Sequence, residues 1–251
     1  MFLRLRGLQV YYKVFGSGEN LIFLSGWGAP VNHYAALHEH LAKKFRVFAI
    51  DLPGMGLSAP PDTIWGTKEY AELVLEFVTA LKIKNPIIVG HSLGGKIAIY
   101  LTANKLIVPE KLVLISSAGI KLPKTFQQRA KIFFYKAFKI IATLPVFRSF
   151  LLTKLENYKN KVGSNDYKNA SGIMRSILVK LVNENFYDLL PSINIPTTLI
   201  WGDHDTSTAL LTGKMMHSMI VNSHLEIING AGHFSYLDDF DKFIGILDKY
   251  L

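Results

Sequence analysis

The sequence predicts an α/β fold: an eight-stranded, mostly parallel sheet with helices on both faces and a helical cap inserted after the sixth strand. Three observations predict it. Short runs that are apolar throughout, such as residues 21–24, 87–89 and 112–115, recur along the chain, as strands buried on both faces require. They alternate with stretches in which apolar residues return at helical spacing. That alternation stops near Gly119 and resumes only near residue 191.

Taken in order, residues 2–5 and 9–15 read as two short strands with Gly7 near the turn, and Gly16-Ser17-Gly18 ends the second. Residues 21–24 form the third strand, followed by the loop Ser25-Gly26-Trp27-Gly28. Residues 34–42 read as a helix with Tyr34, Leu37, His38 and Leu41 on one face. Residues 47–50 are a buried strand that runs into the turn-rich loop Asp51-Leu52-Pro53-Gly54-Met55-Gly56. Thr67 is placed to cap a helix reaching Leu81, whose apolar stripe is Leu73, Phe77, Ala80 and Leu81. Residues 87–89 are a strand, 96–102 a helix and 112–115 a strand. Beyond the interruption come a strand at 199–201, a helix at 206–219, a strand at 225–228 and a last helix at 234–250. The stretch 120–190 has no strand signal. The expected organisation is therefore a core of residues 1–119 and 191–251 with a helical cap at 120–190.

Composition narrows the chemistry. At 251 residues and 49% hydrophobic, the chain can bury the core of one domain of ordinary α/β size. It has no cysteine, which excludes disulfides, thiolate nucleophiles and cysteine metal sites. Residues 1–10 carry Arg4 and Arg6 without the apolar stretch of a signal peptide, and no segment approaches the roughly 20 apolar residues of a spanning helix. The expected location is cytoplasmic. The net charge of +9 is uneven: residues 121–182 hold thirteen Lys+Arg against only Glu156 and Asp166, while the remainder is slightly acidic.

Gly90-His91-Ser92-Leu93-Gly94 is a G-x-S-x-G motif between an expected strand and an expected helix, which is the context the motif needs. The tight turn presents the Ser92 hydroxyl at the carboxyl edge of the sheet, and Gly90 and Gly94 remove side chains that would collide across it. A serine hydroxyl needs a base. His233, in Gly230-Ala231-Gly232-His233-Phe234, follows a strand within small residues that allow close approach. His204 is its one rival; the other histidines suit packing or surface roles. The base needs an anion to hold its tautomer. Asp203 and Asp205, in Trp201-Gly202-Asp203-His204-Asp205, both qualify, and either could instead cap a helix. An oxyanion would be met by two backbone N–H groups, those of Leu93 and Trp27, with Gly26 and Gly28 letting the loop come close. Trp27, His91, Phe134, Phe138 and Phe234 are candidates to line the substrate pocket, and Asp51 is read as structural.

Together these residues resemble the α/β-hydrolase superfamily. The likeness covers the whole chain except the insertion and rests on Ser25-Gly26-Trp27-Gly28, the loop from Asp51 through Gly56-Leu57-Ser58, Gly90-His91-Ser92-Leu93-Gly94-Gly95, Trp201-Gly202-Asp203-His204-Asp205 and Gly230-Ala231-Gly232-His233. The resemblance implies that the acid is the aspartate four positions after Trp201, namely Asp205. Where the family's oxyanion loop usually begins His-Gly, this chain has Ser25-Gly26. Serine rather than aspartate at 92 is unlike the relatives that dehalogenate or open epoxides. The expected reaction is hydrolysis of a carboxylic ester with an apolar acyl part, through an acyl-enzyme and without a metal or organic cofactor. Thioesterase or acyl-carrier esterase chemistry is a close variant, as is likeness to small carboxylesterases. C–C bond hydrolysis of a ring-cleavage dienoate, held by Arg129, Arg148 and Arg175, is a rival. A non-catalytic receptor or scaffold is another.

Within the insertion, Phe126, Ala130, Phe133, Phe134, Ala137, Phe138 and Ile141 recur at helical spacing, while Arg129, Lys131, Lys136 and Lys139 fall on other faces. The plain reading is a cap helix with an aromatic inner face and solvated lysines. The sharper one is docking of an anionic acyl carrier protein or an anionic membrane surface. No nucleic-acid motif accompanies the charge, so nucleic-acid binding is not expected.

Overall fold

The computed structural model describes residues 1–123 and 165–251. Eight strands form one sheet: β1 (Phe2–Leu5), β2 (Leu8–Phe15), β3 (Glu19–Leu24), β4 (Phe45–Ile50), β5 (Ile87–His91), β6 (Leu112–Ile115), β7 (Thr197–Gly202) and β8 (Ser223–Ile228). Their spatial order is β1-β2-β4-β3-β5-β6-β7-β8. β1 pairs β2, and β2 pairs β4, antiparallel; every other pairing is parallel.

The central strands are apolar throughout because each faces two cores. Leu21 and Phe23 of β3 join one buried cluster, and Ile22 and Leu24 the other. β6 divides the same way, with Leu112 and Leu114 against Val113 and Ile115. This is the period-two alternation of a strand with no solvent face. On one side lie helices α2 (Thr67–Ala80) and α3 (Leu93–Ala103), through Leu73, Phe77, Ile97 and Leu101. On the other lie α1 (Ala35–Leu41) and the C-terminal helix, through Leu37, Leu41, Phe243 and Leu247. Between β6 and β7 the described residues hold α4 (Asn165–Asn169), α5 (Gly172–Asn183) and a 3-10 turn at Tyr187–Ser192.

Four local expectations are corrected. Thr67 does not cap α2: it is the first helical residue, its N–H and hydroxyl go to Glu184, and Gly66 is the cap, with its own N–H donated to Glu69 at 2.5 Å. Ala80 is exposed; the buried stripe of α2 runs through Tyr70, Leu73, Val74 and Phe77. The helix expected at 206–219 begins only at Leu210, as α6 (Leu210–Met219), because Asp205 takes the N–H groups of Ser207 and Thr208. The last helix is broken into α7 (Ser235–Asp238) and α8 (Phe240–Tyr250) at Asp239, whose backbone is non-helical and whose carboxylate caps the Lys242 N–H.

An ion pair between a buried lysine and a half-buried glutamate ties the cap side to the core. Lys96 of α3 is 3% exposed; its Nζ lies 3.6 Å from the Glu184 carboxylate and donates to the carbonyls of Leu181 and Glu184. Burial pushes the lysine down to about 8 despite the glutamate beside it. Among the described residues, no helix is long and apolar enough to cross a membrane.

Candidate active site

β5 ends at His91, and Ser92 turns the chain sharply into α3 with φ +51° and ψ −109°. A non-glycine residue adopts such a backbone only where its surroundings hold it. Here the Ser92 N–H donates to the Ile115 carbonyl at 3.0 Å, and the Ser92 carbonyl accepts from Ala118 at 3.0 Å and Lys96 at 3.1 Å. Two glycines make room for the turn. A Cβ on Gly90 would stand 2.6 Å from the Gly95 nitrogen, and one on Gly94 would stand 2.0 Å from the Leu24 carbonyl oxygen. The turn places Ser92 at the carboxyl edge of the parallel strands, directly before the first residue of α3, Leu93, whose amide has no intrahelical acceptor.

Ser92, Leu93, Trp27, His233 and Phe234 line a single cavity of about 930 Å³. A smaller one of about 420 Å³ shares Trp27, Gly28 and Asp166 with it. Asp166, from α4, and Glu184 are carboxyl-bearing residues of the insertion that line this space; partial burial raises the Asp166 pKa against the opposing pull of His233. Phe134 and Phe138, like Arg129, Arg148, Lys131, Lys136 and Lys139, lie outside the described residues.

His233 follows β8 and reaches Asp205, at the end of β7, through Nδ1···Oδ2 at 2.9 Å. The loops can come so close because Gly202 has no side chain: a Cβ there would lie 2.2 Å from the Ala231 carbonyl oxygen. The carboxylate only accepts, so Nδ1 carries the proton and Nε2 keeps its lone pair. Asp205 is 5% exposed and heavily bonded: Oδ1 accepts from Ser207 N at 2.8 Å and Thr208 N at 2.9 Å, and Oδ2 accepts from Thr208 Oγ1 at 2.8 Å. Burial pushes its pKa up, but the bonds from His233 and Thr208 outweigh burial and leave it below the usual carboxylate range. Asp203 has different work, receiving the Gly230 N–H at 2.7 Å. His204 gives its backbone N–H to Ala231. His91 is fully buried, with both ring nitrogens engaged by protein groups, so it offers no polar atom to the cavity it borders. Asp51 accepts the N–H groups of Val31 at 2.6 Å and Leu57 at 2.9 Å, tying its loop to the turn after the Trp27 loop.

Residues 19–240 match the protein family described as the alpha/beta hydrolase fold. The chain belongs to the α/β-hydrolase family. An uncharacterised protein of Mycobacterium tuberculosis is 24% identical over all of this chain and 80% of its own length. The pimeloyl-[acyl-carrier protein] methyl ester esterase of Legionella pneumophila is 25% identical over 97% of this chain and all of its own. Among solved structures, an esterase from Exiguobacterium antarcticum superposes with a TM-score of 0.77 at 23% identity, over 99% of this chain and 98% of that one.

On this α/β-hydrolase framework the structure adds residues that sequence reasoning passed over. Thr208 grips Asp205 with both its N–H and its hydroxyl, and the hydroxyl also lies 3.0 Å from the Ser116 carbonyl and 3.3 Å from His233 Nδ1. An aspartate in a loop often accepts the backbone N–H groups two or three residues on, so the bonds from Ser207 and Thr208 N–H had a local signal, while the hydroxyl bond of Thr208 had none. Tyr34, Lys96 and Glu184 carried none: each read as an ordinary helix or loop position. Among the described residues no group of three His, Asp or Glu side chains is placed to hold a metal ion.

Proposed function

We propose that the chain hydrolyses a carboxylic ester with an apolar acyl part, Ser92 being the nucleophile, His233 the base and Asp205 the group that orients it. One observation carries the reading: an imidazole held by a buried aspartate at 2.9 Å opens on the same cavity as a serine at a strained strand–helix turn. His233 Nε2 would take the Ser92 proton as the hydroxyl oxygen attacks the acyl carbon, Asp205 stabilising the imidazolium. The N–H groups of Leu93 and Trp27 would face the oxyanion. The imidazolium then protonates the leaving alcohol, and the same nitrogen activates water to release the acid and free Ser92.

The core of 1–119 and 191–251 would hold this machinery, and the basic cap at 120–190 would cover the acyl group. The Legionella relative's carrier-bound ester, together with the net positive charge of residues 121–182, favours an anionic acyl carrier over a membrane as the docking partner. Reversing the charge of Lys131, Lys136 and Lys139 is expected to raise KM for a carrier-borne ester and leave a small soluble ester unaffected; equal effects on both reject docking. The dienoate reading is weakened at Arg175, which is committed to the Ala170 carbonyl at 2.7 Å and lies over the Tyr167 ring rather than lining the cavity.

The decisive experiment is labelling with a fluorophosphonate. Ser92 is expected to be modified in the wild type and Ser92→Ala to be inert, with turnover of p-nitrophenyl esters following the same pattern. An unlabelled wild type would point to a receptor or scaffold instead, and dienoate cleavage without ester turnover to C–C hydrolysis.

A further inference from the structure

Behind Ser92 a chain of hydrogen bonds crosses the site in one direction. The Gly26 N–H donates to the Tyr34 hydroxyl oxygen at 2.9 Å; that oxygen lies 2.9 Å from His91 Nδ1; and His91 Nε2 lies 3.0 Å from the backbone carbonyl oxygen of His233. A carbonyl only accepts, so Nε2 must carry the His91 proton. Nδ1 is then a lone pair and receives the Tyr34 O–H, while the Tyr34 oxygen keeps a lone pair for Gly26. Every link has one donor and one acceptor, and a head-to-tail chain of this kind polarises along its length.

Two further observations point the same way. A Cβ on Gly26 would stand 2.8 Å from His91 Nδ1 and 3.4 Å from the Ser92 Cβ, so glycine is what lets this loop press against the turn. Ser25, at the head of this loop, buries a hydroxyl that finds no hydrogen-bond partner among the described residues. The loop is braced instead from behind, by Tyr34 and His91. The His91 ring packs 4.8 Å from that of His233 and 5.5 Å from that of Tyr236.

We propose that His91, acting through Tyr34, is a positioning residue that fixes the loop carrying the Trp27 amide relative to the loop carrying the His233 imidazole, so that oxyanion donor and base meet Ser92 as one rigid unit. This rests on the roles proposed above for Ser92, Trp27 and His233. His91 transfers no proton. Burial, and then the charge of His233, push it down to about 3, so it stays neutral while His233 gains and loses its proton.

Tyr34→Phe keeps the ring and deletes the middle link. Its kcat for p-nitrophenyl butyrate and its rate of labelling by a fluorophosphonate are each expected to fall about tenfold, with KM held within about twofold. His91→Leu should lose more, and His91→Gln, whose amide can accept from Tyr34 and donate to the carbonyl of residue 233, should recover part of that loss. In the unmodified protein, nitrogen NMR should find His91 protonated on Nε2 and unchanged between about pH 5 and pH 9. Wild-type labelling rates in Tyr34→Phe, a proton on His91 Nδ1, or titration of His91 in that range each overturn the proposal. A wild type that is not labelled at all overturns the serine-hydrolase reading instead, which keeps the two failures apart. Should Tyr34→Phe not fold, the NMR measurement still decides.

Discussion

Asp205 accepts hydrogen bonds from Ser207, from Thr208 twice and from His233, so the carboxylate cannot rotate away from the imidazole without breaking several of them. Replacing it by asparagine keeps the shape but presents an amide that can stabilise neither the Nδ1–H tautomer nor the imidazolium. Asp205→Asn is therefore expected to lower kcat by about 10³–10⁴-fold with the fold retained, measured as ester turnover beside a circular-dichroism melt. Thr208→Val removes one hydroxyl donor and leaves both backbone bonds in place. A neutral hydrogen bond of this kind is worth about 1 kcal/mol, so kcat should fall roughly five- to tenfold. At this scale the sequence was legible where spacing forces an outcome. The residues around Ser92 and His233 announce themselves by their glycines. Local residue chemistry left Asp203 and Asp205 open and only the family likeness pointed to Asp205; the loops in space show why, since both side chains make short hydrogen bonds and Asp205 is the one that meets the imidazole.

At the scale of elements, the turn from β5 to α3 depends on backbone contact. Gly94 packs against the end of β3, and Gly94→Ala would drive a methyl group onto the Leu24 carbonyl. A fixed parallel strand cannot yield by that much, so the substitution is expected to abolish soluble folded protein, read from expression and thermal melting. The junction of α2, α3 and the end of α5 behaves differently. Glu184→Ala would leave the Lys96 ammonium without its counter-charge and the Thr67 N–H and hydroxyl without their acceptor, at a cost of about 3 kcal/mol, whereas the double variant Lys96→Met with Glu184→Gln, which removes both charges and keeps an acceptor for Thr67, should lose much less. Urea unfolding of the two variants checks this; equal losses would show that the pair, rather than the desolvated charge, dominates. Strand and helix existence could be read from periodicity, but boundaries depended on side chains from elsewhere. Glu184 reaches across to the start of α2, and Asp205 holds back the start of α6, neither of which periodicity can reveal.

Across the whole molecule, burial of neutral histidines sets the response to acid. His38 is fully buried, with Phe15 stacked at 5.2 Å and Phe23 edge-on at 4.7 Å, and burial, aided by Lys13, pushes it down to about 4. His91 is pushed down to about 3. Both regain the ordinary histidine value on unfolding, so below about pH 6.5 the unfolded chain binds more protons than the folded one. Stability is then complete above that pH and is lost as the pH falls toward the folded-state values. Between about pH 7 and pH 5 each histidine should cost about 2 kcal/mol, read from the urea midpoint. His38→Phe, which keeps a ring and removes both unpartnered nitrogens, should remove about half of that slope; an unchanged slope would place the proton uptake elsewhere.

The amino-acid sequence by itself determined the architecture and the family. Short apolar runs bounded by turn residues and alternating with helical stretches read as strands of a covered sheet, and the glycine-flanked serine and histidine need small neighbours wherever the chain turns sharply. The family likeness already pointed to Asp205 as the partner of His233; only the tertiary structure decided how Thr208 holds that carboxylate, and that His91 and Tyr34 join the two loops behind Ser92. The reason is physical. Periodicity and turn chemistry act over a few neighbouring residues, whereas a hydrogen bond between residues 91 and 233 depends on where the whole sheet places two distant strand ends.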